Sequence, residues 1–296
     1  MKLNFNCINC NINQVNKLMK LSELDRHGKE ELMKEALNYL SDVDYNKCNP
    51  EIAGEIWQII IRHIKDDNPY DEIKKYYNRE VLKMMKEIEE MIYNSNDKFN
   101  TALKLAITGN LIDFEAKHSF DVNVLKEKLR NIEKTKLVVD DSRSLYESLK
   151  NAKILMYLGD NCGEICLDKL FIKYIKNQFP GIKVYFAVRG KVIVNDITLE
   201  DAKMVDMHEV AEVIENGDGS LGTVMGRVSS EFKEKFYEAD VVIAKGQGNY
   251  ESLSEIDRNN VFHLFMAKCE AVAGLLGVNT MSIVCAQKKA AHNKFI

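Results

Sequence analysis

The chain has 296 residues, 46% of them hydrophobic, which suffices for one large folded body or two ordinary ones and excludes intrinsic disorder as the default. Forty-one Lys and Arg against 45 Asp and Glu leave a formal charge of −4 with no basic block, so there is no electrostatic footprint for nucleic acid and a small soluble ligand is the expected partner. No apolar run reaches the roughly 20 residues of a membrane span and the start Met1-Lys-Leu-Asn-Phe-Asn-Cys has no apolar signal segment, so a cytoplasmic protein without membrane partners is expected.

From Asn11 to about Lys136 the apolar residues recur at helical spacing: Val15, Leu18 and Met19; Leu32, Ala36 and Leu40; Ile52, Ile56, Ile59 and Ile60. Pro50 suits a first helical turn with Asn49 as its N-cap, and Asn68-Pro69 resets the chain before one long helix carrying Ile73, Tyr77, Val81, Met84, Ile88 and Ile92. Gly109 ends a further helix, and Asn110 and Asp113 follow it. After residue 150 the pattern alternates. Strands are predicted at 153–158, 183–188, 240–244, 261–265 and 280–284, with helices near 164–178, 198–203, 230–238 and 268–276, and 203–228 is ambiguous apart from the loop 217–222. Alternation of this kind predicts a mostly parallel, doubly wound, Rossmann-like α/β/α part (149–296) packed against a helical part (1–148).

The chemistry concentrates where predicted strands end. Ile154 to Leu158 run into Gly159-Asp-Asn-Cys-Gly-Glu164, and Val184 to Val188 are followed by Asn195-Asp196. Neighbouring parallel strands would bring Asp160, Asn161 and Asp196 to one crevice, as two carboxylates and an amide oxygen suited to Mg²⁺ or Mn²⁺. The same aspartates equally suit plain N-caps of the helices that follow. Lys245-Gly-Gln-Gly-Asn-Tyr-Glu251 ends another apolar strand and reads as a glycine-rich turn with a lysine in front; it lacks the order of a Walker loop. Lys268-Cys269 opens the last helix. Seven cysteines scatter without a scaffold pattern; Cys7-x-x-Cys10 has no second pair to complete a tetrahedral zinc site, and Cys162 and Cys166 read as buried thiols. The histidines show no metal spacing.

Taken together, Cys7-x-x-Cys10, Asn68-Pro69-Tyr70, Gly109-Asn110-x-x-Asp113, Gly159 to Glu164, Asn195-Asp196-x-Thr198, Lys245 to Glu251 and Lys268-Cys269 resemble the domain-of-unknown-function 89 (DUF89) family of metal-dependent damage-control phosphatases, in its stand-alone archaeal and bacterial branch. The resemblance implies a divalent metal on Asp160, Asn161 and Asp196, with Co²⁺ or Ni²⁺ as further possible ions, and a small phosphorylated metabolite as substrate. Within that frame Lys245 is the candidate for stabilising phosphate charge, Glu251 or Glu164 for orienting a water, and Asn249, Lys268, Asn110 and Asp113 for binding substrate. Cys7, Cys10 and Cys269 are expected near one another beside the crevice, in a role the residues do not define. One departure is Leu221 before Gly222, where relatives commonly carry Pro. Two other classes compete: an S-adenosylmethionine-dependent methyltransferase, against which the sparse glycines after Gly159 argue, and a non-catalytic metal or redox sensor using the cysteines.

Overall fold

The computed structural model describes residues 1–109, 127 and 129–288. Helices α1 (Asn6–Leu21), α2 (Arg26–Ser41) and α3 (Asn49–Ile64) bury one stripe each, and Val15, Leu18, Leu32, Ala36, Ile56, Trp57 and Ile60 form a core of their own. Cys48 caps α3 and Pro50 fills its first turn, one residue from the expected start. The long helix expected after Pro69 is two: α4 (Asp71–Leu82) and α5 (Met85–Asn94) meet where Met84 N–H bonds back only three residues, to Val81 O at 2.9 Å. Helix α6 (Lys98–Thr108) starts on the Asp97 side chain and ends at Gly109.

Seven strands form one sheet: β1 (Leu137–Asp140), β2 (Ile154–Leu158), β3 (Lys183–Val188), β4 (Glu212–Glu215), β5 (Val241–Lys245), β6 (Val261–Ala267) and β7 (Ser282–Gln287), in the order β1-β7-β6-β5-β2-β3-β4. All pairings are parallel except β6 with β7. Alternate residues feed opposite faces, because side chains along a strand alternate. Leu155, Tyr157, Phe186 and Ile243 pack under α4, α5, α6 and the helices α7 (Ser142–Asn151) and α8 (Glu164–Gln178), whereas Met156, Leu158, Tyr185 and Val242 pack on α10 (Ser230–Glu238). A sheet covered on both faces needs strands apolar throughout, and Leu155 to Leu158 and Val241 to Lys245 are wholly buried.

Two features differ from the sequence expectation. The sheet begins at β1, ahead of the boundary drawn at 148, and α4 to α6 share the core of the sheet, whereas among the described residues α1 to α3 pack around a core of their own. The glycine-rich stretch after Lys245 is no loop; it is helix α11 (Gly246–Leu253). Among the described residues, helices α9 (Leu199–Met204) and α12 (Glu270–Leu276) are the remaining α-helices. Among the described residues, no helix is long and apolar enough to cross a membrane.

Candidate active site

Strand β2 lies between β5 and β3, so the chain leaves the sheet in opposite directions at its carboxyl edge and opens a crevice there. The loops after β2 and β3 are stitched by backbone: Gly159 N–H bonds Ala187 O at 3.0 Å, Ile197 N–H bonds Asp160 O at 2.9 Å and Cys162 N–H bonds Asn195 O at 3.0 Å. Asn161 and Asp196 form an antiparallel bridge. The structure therefore brings Asp160, Asn161 and Asp196 together, each no more than 8% exposed.

Helix α4 holds this loop from the outside. Asn78 Oδ1 accepts from Gly163 N–H at 2.6 Å, where Gly163 has a φ of +78° that a side chain would oppose. Lys74, 2% exposed, pairs with Asp201 at 2.8 Å, and Asp201 completes a capping box with Thr198. Val194, two residues before Asp196, has φ +43°, a strained conformation for a β-branched residue, and Ile193 beside it is buried in the α1 to α3 core. The backbone that carries Asp196 is thus wedged between two cores.

Arg189, at the end of β3 and 3% exposed, was not singled out by the sequence reading. Its Nε donates to Asp196 Oδ2 at 2.6 Å, its Nη1 lies 3.5 Å from Thr223 and Asn249, and its buried Nη2 makes no hydrogen bond and lies 3.8 Å from Asp160 Oδ1. A strand-end position directly after Val188 is the signal that would have found it. Burial, with Asp196 and Glu164 close by, pushes the Asp160 carboxyl well above the usual range, while Arg189 and Lys268 pull it down. Burial also raises Asp196, against Arg189 and Lys74.

Lys245 is placed otherwise than expected. It is fully buried, and its three N–H bonds go to Ala106 O at 2.9 Å, Glu164 Oε1 at 2.7 Å and Asp168 Oδ1. No donor is left for phosphate, and the lysine anchors two carboxylates instead. Burial raises Asp168 to about 7 in spite of that contact. Asp168 stands one turn from Glu164 on α8, a charge on an otherwise apolar face, which is the sequence signal for it.

Asn249 is also fully buried, and its amide is spent inside the protein. Its Nδ2 donates to Lys245 O at 2.7 Å, and its Oδ1 accepts from Thr223 at 2.7 Å, so it clasps α11 to the loops and does not reach for substrate. Gly246, with φ +78°, lets α11 approach so closely that a Cβ there would overlap the Asp160 carboxylate. Glu251 accepts from Gln247 Nε2 at 2.7 Å and is hydrogen-bonded to Asn49. Lys268 lies close enough to Asp160 for its charge to lower that carboxyl. Asn110 and Asp113 lie outside the described residues, just beyond Gly109, which packs against Glu164.

Cys7 lies within electrostatic reach of Cys10 and Cys269. Burial, then Glu251, Cys10 and Cys269, raise the half-buried Cys7 thiol to about 12. Gln247 joins this cluster to the crevice, donating to Cys269 Sγ at 3.4 Å and accepting from Lys268 N–H at 2.9 Å. Cys162 and Cys166 are buried and free.

Four buried acids (Asp160, Asp196, Glu164, Asp168) face two buried cations (Arg189, Lys245), a negative excess that suits a divalent cation. Among the described residues no three His, Cys, Asp or Glu side chains converge on one point. The set on offer is two carboxylates and an amide, which leaves positions for water and substrate oxygens.

Fold and crevice define a mostly parallel α/β protein with an acid-rich site at the switch point of its sheet. Residues 4–284 match the damage-control phosphatase ARMT1-like domain. A damage-control phosphatase of Pyrococcus horikoshii is 35% identical over 98% of this chain and 99% of its own, and one of Archaeoglobus fulgidus is 33% identical over 96% and 98%. The crystal structure of a DUF89 family protein from Pyrococcus horikoshii superposes with a TM-score of 0.87 at 34% identity, covering 98% of this chain and all of that one. The chain belongs to the DUF89 family of damage-control phosphatases.

Proposed function

We propose that this chain is a metal-dependent phosphatase that hydrolyses phosphate monoesters of small metabolites, sugar phosphates or damaged nucleotides and cofactor fragments, at the crevice of Asp160, Asn161 and Asp196. The observation that carries the reading is the juxtaposition of two buried carboxylates with Arg189, whose Nη2 makes no hydrogen bond. Asp160, Asn161 and Asp196 would hold the ion, with Mg²⁺ or Mn²⁺ suited to such oxygens and Co²⁺ or Ni²⁺ as alternatives. When bound, the ion supplies charge neutralisation at the phosphoryl oxygens and a water of lowered pKa.

The remaining work belongs to the chain. Arg189 is fixed at Nε by Asp196 and offers the free arm of its fork to a phosphoryl oxygen, and Lys268 adds a second positive charge on the β6 side. Asp160 is followed by Asn161 and Cys162, so the Asp-x-Asp arrangement of aspartyl-phosphate enzymes is missing and direct attack by water is preferred. The methyltransferase alternative draws no support from the turn after β2, where Gly163 is the one glycine between Gly159 and helix α8. Purified protein incubated with a panel of sugar and nucleotide monophosphates, with each divalent ion in turn, tests the reading: ion-dependent phosphate release from at least one class is expected, and no release from any would overturn it.

A further inference from the structure

Asn161 stands between two carboxylates. Its Nδ2 lies 2.5 Å from Asp160 Oδ2 and 3.2 Å from Glu164 Oε2, and a carboxylate oxygen accepts hydrogen bonds. The reverse orientation of the amide would set Oδ1 against two acceptors. Oδ1 is therefore turned to the opposite side, away from both.

Glu164 is itself fixed from behind. Its Oε1 accepts from Lys245 Nζ at 2.7 Å, and Lys245 is tied in turn to Asp168 and to Ala106 O at the end of α6. Tyr157 O–H donates to Asp168 Oδ1 at 2.6 Å. Glu164, Lys245, Asp168 and Tyr157 are all fully buried, so none of the four has room to turn. The chain of contacts runs without a gap from the interior of the sheet to the amide of Asn161.

We infer that Glu164 is a positioning residue, which dictates that Asn161 presents its amide oxygen to the cation, and that Lys245 serves the site by locking Glu164 in that register. This rests on the reading that Asp160, Asn161 and Asp196 hold a divalent ion. Both Glu164 oxygens already accept from protein donors, Oε1 from Lys245 and Oε2 from Asn161, which gives Glu164 a positioning role. Partners that orient a metal ligand in this way are typically worth about 10- to 100-fold in metal affinity.

The test exchanges donors and acceptors. In Glu164→Gln, Lys245 keeps Oε1 as its acceptor and the new Nε2 faces Asn161 Nδ2, donor against donor, so the second anchor of the amide is lost and Asn161 is pushed out of register, held by Asp160 alone. Asn161→Asp added to Glu164→Gln restores an acceptor at that contact, returns an oxygen to the ion and conserves formal charge. Binding of Mn²⁺ alone, followed by the paramagnetic resonance of the free ion and by calorimetry on protein shown to be folded by circular dichroism, is expected to weaken about 10-fold or more in Glu164→Gln. The double variant should recover to within about threefold of wild type. Unchanged affinity in Glu164→Gln overturns the inference while leaving the cation site standing. Weakened affinity with no recovery in the double variant also overturns it, since Glu164 would then ligate the ion itself. Failure of the wild type to bind Mn²⁺, or equal binding by Asp160→Ala, removes the cation site and the inference with it.

Discussion

Lys245 shows how residue type and residue role separate. A lysine at a strand end beside glycines carries the sequence signature of a phosphate contact, yet its ammonium is enclosed by Glu164, Asp168 and a carbonyl. Removing one partner of a buried ionic cluster costs about 3–5 kcal/mol, because the remaining charges are left uncompensated. Lys245→Met should therefore lower stability by that order in urea melts as well as abolishing turnover. A variant of wild-type stability that loses only turnover would return Lys245 to a phosphate-binding role.

Another residue sets a pH dependence. His263 on β6 is fully buried against Tyr250, both ring nitrogens lack partners, and burial lowers its pKa from 6.5 to about 3. The unfolded chain then binds the proton more readily than the folded one between those values, so His263 costs stability progressively as pH falls below 6.5, by up to about 1.4 kcal/mol per pH unit. The raised Asp160 and Asp168 carboxyls slope the opposite way, so the informative quantity is a difference. Stability of His263→Phe relative to wild type should grow between pH 7 and pH 5 in denaturant titrations; a constant difference would show that His263 takes up its proton in the folded state.

At the scale of elements, the sequence was most legible where local and global demands agree. Ile154 to Leu158 and Val241 to Ala244 are apolar runs, and the sheet buries them on both faces. Asp160, Asn161 and Asp196 were legible as a group because they follow two such runs that pair side by side. Strands β1 and β4 escaped because each is four residues long at an edge of the sheet, and β4 begins and ends with glutamate. Helix α11 escaped because two glycines in its first turn argue locally for a loop. Their presence has a tertiary cause, the close approach of Gly246 to Asp160. Gly246→Ala should consequently lose stability by about 1–3 kcal/mol, as expected of a side chain forced into positive φ, and lose activity by displacing Asp160. Thermal melting and turnover measured together check this; a fully active, equally stable Gly246→Ala would deny the contact.

On the scale of the whole molecule, the helical half has two duties. Helices α4 to α6 complete the sheet's core and reach the site through Lys74, Asn78 and the Ala106 carbonyl. The α1 to α3 unit grips Ile193, and α1 carries Cys7 within electrostatic reach of Cys269. None of this was legible from periodicity, which marks that a helix has an apolar face and leaves open what the face meets. We expect the one crevice built by the ends of β2, β3, β5 and β6 to be a cation-dependent phosphatase centre. This is tested most directly by phosphate release from a single monophosphate substrate, measured on chelator-stripped protein before and after titration with Mn²⁺, in wild type and in Asp160→Asn. Negligible turnover is expected when stripped, with recovery on titration in the wild type and no recovery in Asp160→Asn, whose apo form should melt no lower because a crowded carboxylate has been removed. Full turnover in stripped wild type, or recovery in Asp160→Asn, would contradict it.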